Sequence, residues 1–329
     1  MLNTAIIGMG GWGRTLVNSV QGKNASGIRF VAGTTGTLDK ARDYAAEKGI
    51  RLHATYAEVL ADREVKAVAL ASPHGIHAEQ VIAAAAAGKH VFVEKPFTLT
   101  KASAEASVAA CAKAGVVLAL GHNRRFLPAV AEMKAIIAKG GAIGGIGTLL
   151  HVEGQFSGPG AFAYKEGMWR ADRSESPLGG MGGMGIHMID MIIHLAGRFR
   201  DVRVQSHAKV STTIDDTTAM LATMENGATC NFATLSLAPR YWRCALFGTD
   251  GLLELRGHET LFFRARDGQE WTREFPVTDI EYAELEAFAV AVAGGAAYPL
   301  PVAEAIHGVA VYETMIGAAA SGSAYAVPG

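Results

Sequence analysis

One loop in this chain has the spacing to hold a phosphorylated ligand, and two side chains elsewhere are of the type that moves protons. The loop is Gly8-Met9-Gly10-Gly11-Trp12-Gly13. In a G-x-G-x-x-G pattern the first glycine permits a tight turn, the second lets backbone approach phosphates, and the third lets a helix pack on a strand. The pattern alone is a weak signal. Here it follows an apolar run at 4–7 and precedes a helical stretch at 14–20. The start of that helix would offer free N–H groups and a positive dipole end to an anion. We therefore expect the loop to hold the pyrophosphate of a nicotinamide dinucleotide.

The two proton-moving candidates are Lys95 and His187. Lys95 lies in Glu94-Lys95-Pro96, just after the apolar run 90–93. A lysine at the carboxyl end of a parallel strand faces the crevice where ligands bind. Once desolvated it can act as acid, base or hydrogen-bond donor. By spacing alone, a surface lysine is the competing reading. His187 lies in a stretch of helical periodicity, 185–196. Ile186, Ile189 and Ile193 fall on one side of it, and His187, Asp190, Met191 and His194 on the other. No second ligand cluster accompanies these residues, so no metal is expected. A packed histidine is the alternative for His187. The methionines at 181, 184, 188 and 191 read as packing residues.

Enzymes that use NAD usually end the second strand with an acid that holds the ribose 2′-hydroxyl. In this chain that segment is Val31-Ala32-Gly33-Thr34-Thr35-Gly36-Thr37, and the first carboxylate is Asp39. Without an acid there, nothing repels a 2′-phosphate. Thr34, Thr35 and Thr37 could contact it, and Lys40 or Arg42 could add charge. The segment favours NADP(H) over NAD(H).

The elements that must position these residues alternate. Strands are expected at 4–7, 28–32, 67–71, 90–93 and 116–120. Helices are expected at 14–20, 39–48, 56–60, 78–87 and 101–114, three of them stopped by Gly49, Gly88 and Gly115. Such alternation predicts a doubly wound parallel sheet, the Rossmann arrangement, over residues 1–121. Beyond it come a helix at 128–139, a glycine-rich link at 140–147, a strand at 148–156, a helix at 185–196, a run of β segments over 202–275 and helices at 280–293 and 302–320. Strands 218–224 and 229–235 flank a hairpin signal. Residues 122–329 are thus expected to form an α+β domain on a mainly antiparallel open sheet.

Composition narrows the function. The 329 residues carry a formal charge of −1, so no global field attracts nucleic acid or an anionic membrane. Three cysteines, none in a C-x-x-C pair, argue against a disulfide framework or a zinc-thiolate site. Neither a leader nor a membrane-spanning run is visible, and a cytoplasmic protein is expected.

Taken together, the motifs resemble the Gfo/Idh/MocA family. The carriers are the glycine loop; Ser72-Pro73-His74-Gly75-Ile76-His77; Ala87-Gly88-Lys89-His90-Val91-Phe92-Val93-Glu94-Lys95-Pro96; Asn123-Arg124-Arg125-Phe126; Trp169-Arg170; and Gly179-Gly180-Met181 leading to Gly185-Ile186-His187-Met188-Ile189-Asp190. The resemblance implies hydride transfer between NAD(P) and a secondary alcohol or ketone of a sugar, cyclitol or related polyol. It implies Lys95 and His187 as catalytic residues. Ser72, Pro73, His74, His77, Glu94 and Pro96 would help the loop seat the cofactor. Asn123, Arg124, Trp169 and Arg170 would join Lys95 and His187 around the substrate. It also implies a homo-oligomer through the C-terminal sheet. One departure stands out. Many family dehydrogenases place an Asp four residues before the catalytic His, and this chain has Gly183 there. A dihydrodiol dehydrogenase and a non-catalytic dinucleotide-binding regulator are the alternatives.

Overall fold

The computed structural model describes residues 1–141 and 145–329. Part of the glycine-rich link expected at 140–147 therefore lies outside the described residues. Two compact units emerge: residues 1–123 with 279–305, and residues 124–278 with 306–329.

In the first unit, β1 (Leu2–Ile7), β2 (Ile28–Thr34), β3 (Arg51–Leu52), β4 (Ala67–Leu70), β5 (His90–Val93) and β6 (Leu118–Leu120) form one sheet, ordered β3-β2-β1-β4-β5-β6. Every pairing is parallel. The chain order reverses between β1 and β4, and that reversal opens a crevice beyond the strand ends. β4 is buried along its whole length, as an apolar strand covered on both faces must be. The helices of the unit are α1 (Gly11–Val20), α2 (Leu38–Lys48), α3 (Tyr56–Ala61), α4 (His77–Ala86) and α5 (Lys101–Ala114). Two are capped as their sequences require: Thr55 and Thr100 accept from the N–H groups of Glu58 and Ser103. α1 starts earlier than its periodicity suggested, inside the glycine loop itself, which places the loop's last residues in the first helical turn.

The first unit also takes in a helix from the far end of the chain, a grouping that the single boundary at 121/122 did not anticipate. After α6 (Pro128–Ala138) and α7 (Ile186–Ala196), helix α8 (Ile280–Val292) adds Leu285, Phe288 and Ala289 to the core built by Leu16, Val17, Val20, Ile28 and Phe30. Burying each large apolar side chain contributes about 1.5–3 kcal/mol. Glu286 on the same helix accepts from the Gly27 N–H at 2.9 Å and from the Ser26 hydroxyl at 2.5 Å.

The second unit is built on nine strands: β7 (Leu149–Ser157), β8 (Phe199–His207), β9 (Thr217–Met224), β10 (Thr229–Leu235), β11 (Tyr241–Gly248), β12 (Gly251–Arg256), β13 (Thr260–Ala265), β14 (Glu270–Glu274) and β15 (Tyr325–Ala326). Their order is β14-β13-β12-β11-β7-β10-β9-β8-β15. The sheet is antiparallel except where β7 and β10 run together. β9 and β10 form the expected hairpin, with Ala222 opposite Cys230. α7 packs against β7 at Gly154, where a Cβ would come within 2.7 Å of Met188 Cγ. The last helix, α9 (Val302–Ser321), places Tyr312 in the core, with its hydroxyl donating to the Pro177 carbonyl at 2.7 Å.

Candidate active site

The glycine loop lies beyond the end of β1, where the sheet order reverses. Gly8 has φ +96°, and a Cβ there would meet the Ala71 carbonyl oxygen at 2.5 Å. A Cβ on Gly13 would meet the Gly8 carbonyl oxygen at 1.9 Å. These two glycines are steric necessities of strand-to-helix packing. At Gly10 and Gly11, by contrast, a Cβ would meet nothing within 4 Å, so the space beside this backbone is open. The first N–H groups of a helix have no intrahelical acceptor. An anionic pyrophosphate therefore fits this site. Met9 turns its side chain inward: it is 4% exposed and packs on Gly33.

The loop is tied to the end of β2 through backbone. The Gly8 N–H donates to the Thr34 carbonyl at 2.9 Å. The hydroxyls of Thr34, Thr35 and Thr37 have no hydrogen-bond partner among the described residues. Asp39 is exposed and pairs with Arg42 at 2.9 Å. Arg14 was not singled out from the sequence. It donates to the Met9 carbonyl at 3.3 Å and to the Lys40 carbonyl at 2.9 Å, and lies 4.6 Å above the Tyr44 ring. It thereby ties the loop to α2. A cation in the first turn opposes the helix dipole, and that oddity was the available signal.

The strand ends that follow supply the remaining groups. Lys95 is half-buried, with its Nζ 6.0 Å from the centroid of the Trp12 ring, so the loop and the lysine share one neighbourhood. Trp12 Nε1 is buried and has no hydrogen-bond partner among the described residues. Glu94 lies beneath the lysine. Its carboxylate accepts from the Lys95 N–H at 3.3 Å and fits over Gly121, where a Cβ would come within 2.7 Å of it. His77 is fully buried. Its Nδ1 is 2.9 Å from the Pro96 carbonyl and its Nε2 is 3.1 Å from the Ser72 carbonyl, which clamps the loops after β4 and β5 together. Ser72 donates its hydroxyl to Gln80 at 2.5 Å. Pro73 precedes the single turn His74–Ile76, and the buried His74 ring meets His77 edge-on at 6.0 Å. Asn123 is buried and donates to Glu281 on α8 at 2.9 Å.

In the second unit, His187 on α7 is 3% exposed. Arg124 Nη1 lies 3.0 Å from its Nε2. A guanidinium only donates, so Nε2 is the acceptor and presents its lone pair on this side. The Arg124 guanidinium also lies 5.2 Å over the Phe156 ring, which is itself 6.1 Å from the imidazole. The other polar residues of α7 are engaged elsewhere. Asp190 is buried and accepts from Arg125 at 2.7 and 2.9 Å. His194 Nδ1 lies 3.1 Å from Arg125 and 3.2 Å from Lys134. Burial first, then the charges of Arg125 and Lys134, push the His194 pKa down to about 4. On the side of α7 read as polar from its periodicity, His187, Asp190 and Met191 are thus buried and His194 is half-buried, and ion pairing makes this possible. No group of three or more His, Cys, Asp or Glu among the described residues is arranged to hold a metal ion.

Gly183 lies in a π-helical turn, Met181–Gly185, that leads into α7. It is exposed, and a Cβ there would meet nothing within 4 Å. Packing therefore does not forbid the aspartate expected at this position. Of the four methionines, Met181, Met188 and Met191 are buried core residues. Met184 instead lines a cavity of about 550 Å³ with Arg124, Phe156, Arg240, Trp242 and His258. Trp169 and Arg170 are outside that lining, and Arg170 lies 4.1 Å over the Trp169 ring. Arg240, Trp242 and His258 were missed in the sequence because β11 and the turn after β12 reach the cavity only through sheet pairing.

A six-stranded parallel sheet with an open glycine loop defines a dinucleotide-binding protein, and the mixed nine-stranded sheet defines its second module. Residues 2–122 match the oxidoreductase family model with an NAD-binding Rossmann fold, and residues 130–254 match the GFO/IDH/MocA C-terminal domain. The D-apiose dehydrogenase of Paraburkholderia graminis is 30% identical over 80% of this chain and 70% of its own. The chain belongs to the Gfo/Idh/MocA family. A 4-carboxy-2-hydroxymuconate-6-semialdehyde dehydrogenase from Sphingobium is 37% identical over 39% of this chain. The chain spans only 40% of that relative's length, and 36% and 35% of two others. A solved levoglucosan dehydrogenase in complex with NADH and levoglucosan superposes with a TM-score of 0.87 over 100% of both chains at 22% identity, a likeness of fold. Among the described residues, no helix is long and apolar enough to cross a membrane.

Proposed function

We propose that this protein is an NAD(P)-dependent oxidoreductase that moves a hydride between the nicotinamide and a secondary alcohol or ketone of a sugar, cyclitol or related polyol. The observation that carries this reading is the open backbone at Gly10 and Gly11 with the Lys95 Nζ beside the same loop's Trp12. The family membership and the sugar dehydrogenases among the relatives support it.

The dinucleotide, when bound, supplies the hydride donor or acceptor. The residues of this chain do the rest. The N–H groups at the start of α1 hold the pyrophosphate. Met9 and Gly33 interlock behind the loop. Ser72, Pro73, His74, His77, Glu94 and Pro96 form the rigid rim, and Glu94 orients Lys95. In the oxidation direction the substrate hydroxyl gives its proton to His187 Nε2 or to Lys95 Nζ, as Arg124 yields its place on the imidazole. Positioning the reacting carbon supplies much of the rate. Asn123, Arg124, Trp169 and Arg170 act on the substrate side. The bare hydroxyls of Thr35 and Thr37 favour NADP(H). Leu221 on β9 is 62% exposed, and assembly of a homo-oligomer through this sheet belongs to the same proposal.

A panel of polyols and sugars, followed by the absorbance of the reduced nicotinamide, tests this. Turnover with NADP⁺ is expected, and Lys95→Met should abolish nearly all of it while dinucleotide binding persists. A Lys95→Met variant with unchanged turnover overturns the role of the lysine. An NADH affinity about tenfold above that for NADPH overturns the cofactor preference.

A further inference from the structure

The cavity beside His187 has more cationic than anionic side chains in its wall. Its ionisable lining consists of Arg124, Arg240, Tyr241, His258 and Glu259, and Ser157 adds a hydroxyl. The one carboxylate, Glu259, accepts from the backbone N–H of His258 at 3.1 Å. Burial, and then the charge of Arg124, lowers the His258 pKa, so this ring adds no cation near neutral pH. Arg240 lies at the exposed rim, and no carboxylate pairs with it among the described residues. Trp242 lines the same cavity, is 6% exposed, and its buried Nε1 has no hydrogen-bond partner among the described residues. Ser157, Tyr241, the neutral His258 ring and Glu259 can accept, but the two guanidinium groups and the buried indole N–H only donate. Such donors are met by a group that only accepts. An ionised carboxylate only accepts, and it matches the guanidinium fork through two parallel bonds.

We propose that the substrate carries a carboxylate, as a sugar acid does, and that Arg240 and the Trp242 indole bind it in the cavity beside His187. The inference rests on the oxidoreductase reading and narrows its substrate class. Arg124 links the two regions, because it touches His187 and lines the cavity. The carboxylate stays unchanged in the reaction. The carbinol carbon gives its hydride to the nicotinamide and the hydroxyl gives its proton to the base, leaving a keto acid.

The test uses the full chain with NADP⁺ and matched pairs: D-glucuronate against D-glucose and D-glucuronamide, and D-galacturonate against D-galactose. We expect kcat/KM for each acid to exceed that of its neutral partner by about tenfold to a hundredfold, the scale of a charge-assisted bidentate contact. Arg240→Gln should raise KM for the acids and collapse that ratio, and Arg240→Lys should restore part of it. Equal or better turnover of the neutral sugars overturns the inference and leaves the oxidoreductase reading intact. So does an Arg240→Gln variant that slows acid and neutral substrates by the same factor. If no sugar turns over in either direction, the oxidoreductase reading fails. Titration calorimetry with glucuronate and glucose then decides the inference: tighter binding of the acid that is lost in Arg240→Gln upholds it, and acid binding no tighter than glucose overturns it.

Discussion

Arg124 and Arg125 are adjacent in sequence and reach the same helix, yet their surroundings differ in kind. Arg125 is sealed inside: its guanidinium grips the buried Asp190 with two oxygens and touches His194. Arg124 reaches one turn toward the start of α7, meets the imidazole of His187, stacks over Phe156 and lines an open cavity. A buried charge with an ideal counter-ion holds helix and chain together and has no capacity left for a ligand. A cation set against a neutral ring and a cavity can exchange that contact for another. One α7 helix thus carries a sealed ion-pair cluster and a cluster that faces a cavity, separated by a single turn.

Four experiments break or sharpen this contrast. The largest effect is expected at the cluster facing the cavity, where the proposed role of His187 means that His187→Asn should cut kcat by about a hundredfold to ten-thousandfold, the span of general acid–base catalysis. Steady-state kinetics beside a thermal melt would show whether activity falls while stability holds. The neighbouring arginines come next. Arg125→Gln leaves Asp190 buried without its cation and should cost about 3–5 kcal/mol in urea unfolding, whereas Arg124→Gln should cost less than about 1 kcal/mol. Equal losses would erase the distinction. The third concerns pH. His194 has a folded pKa near 4, below the value of about 6.5 for an unfolded histidine. The unfolded chain therefore binds the extra proton first, and this residue's contribution is intact above about pH 6.5 and lost as pH falls toward 4. Imidazole NMR should show His194 neutral at pH 5, and a midpoint near 6.5 would refute its sequestration. The smallest effect belongs to Gly183→Asp. The side chain has open space, so stability should change by no more than about 0.5 kcal/mol, and any change in the kcat pH profile would report directly on His187.

Much of the first unit was legible in one dimension. Glycine spacing, apolar runs and helix stops are local features, and residues 101–114 and 229–235 were delimited to the residue. The boundary of that unit was not legible, because α8 joins it through Leu285, Phe288 and the Glu286 carboxylate, all distant in sequence from what they touch. The same holds for the candidate site. Lys95 and His187 could be named from their motifs. The periodicity of α7, however, suggested one polar face, and could not show that Arg125 neutralises Asp190 or that Arg124 takes the imidazole.

The sequence by itself determined the dinucleotide loop, the alternation of strand and helix, and the residue types available for proton transfer. These depend on backbone sterics and short-range periodicity, which neighbouring residues settle among themselves. Tertiary structure alone decided which arginine meets Asp190 and which meets His187, that Trp12 lies beside Lys95, and that Arg240 and Trp242 line one cavity with Met184. Charge pairing and burial depend on where distant segments come to rest, and only packing of the whole unit sets that.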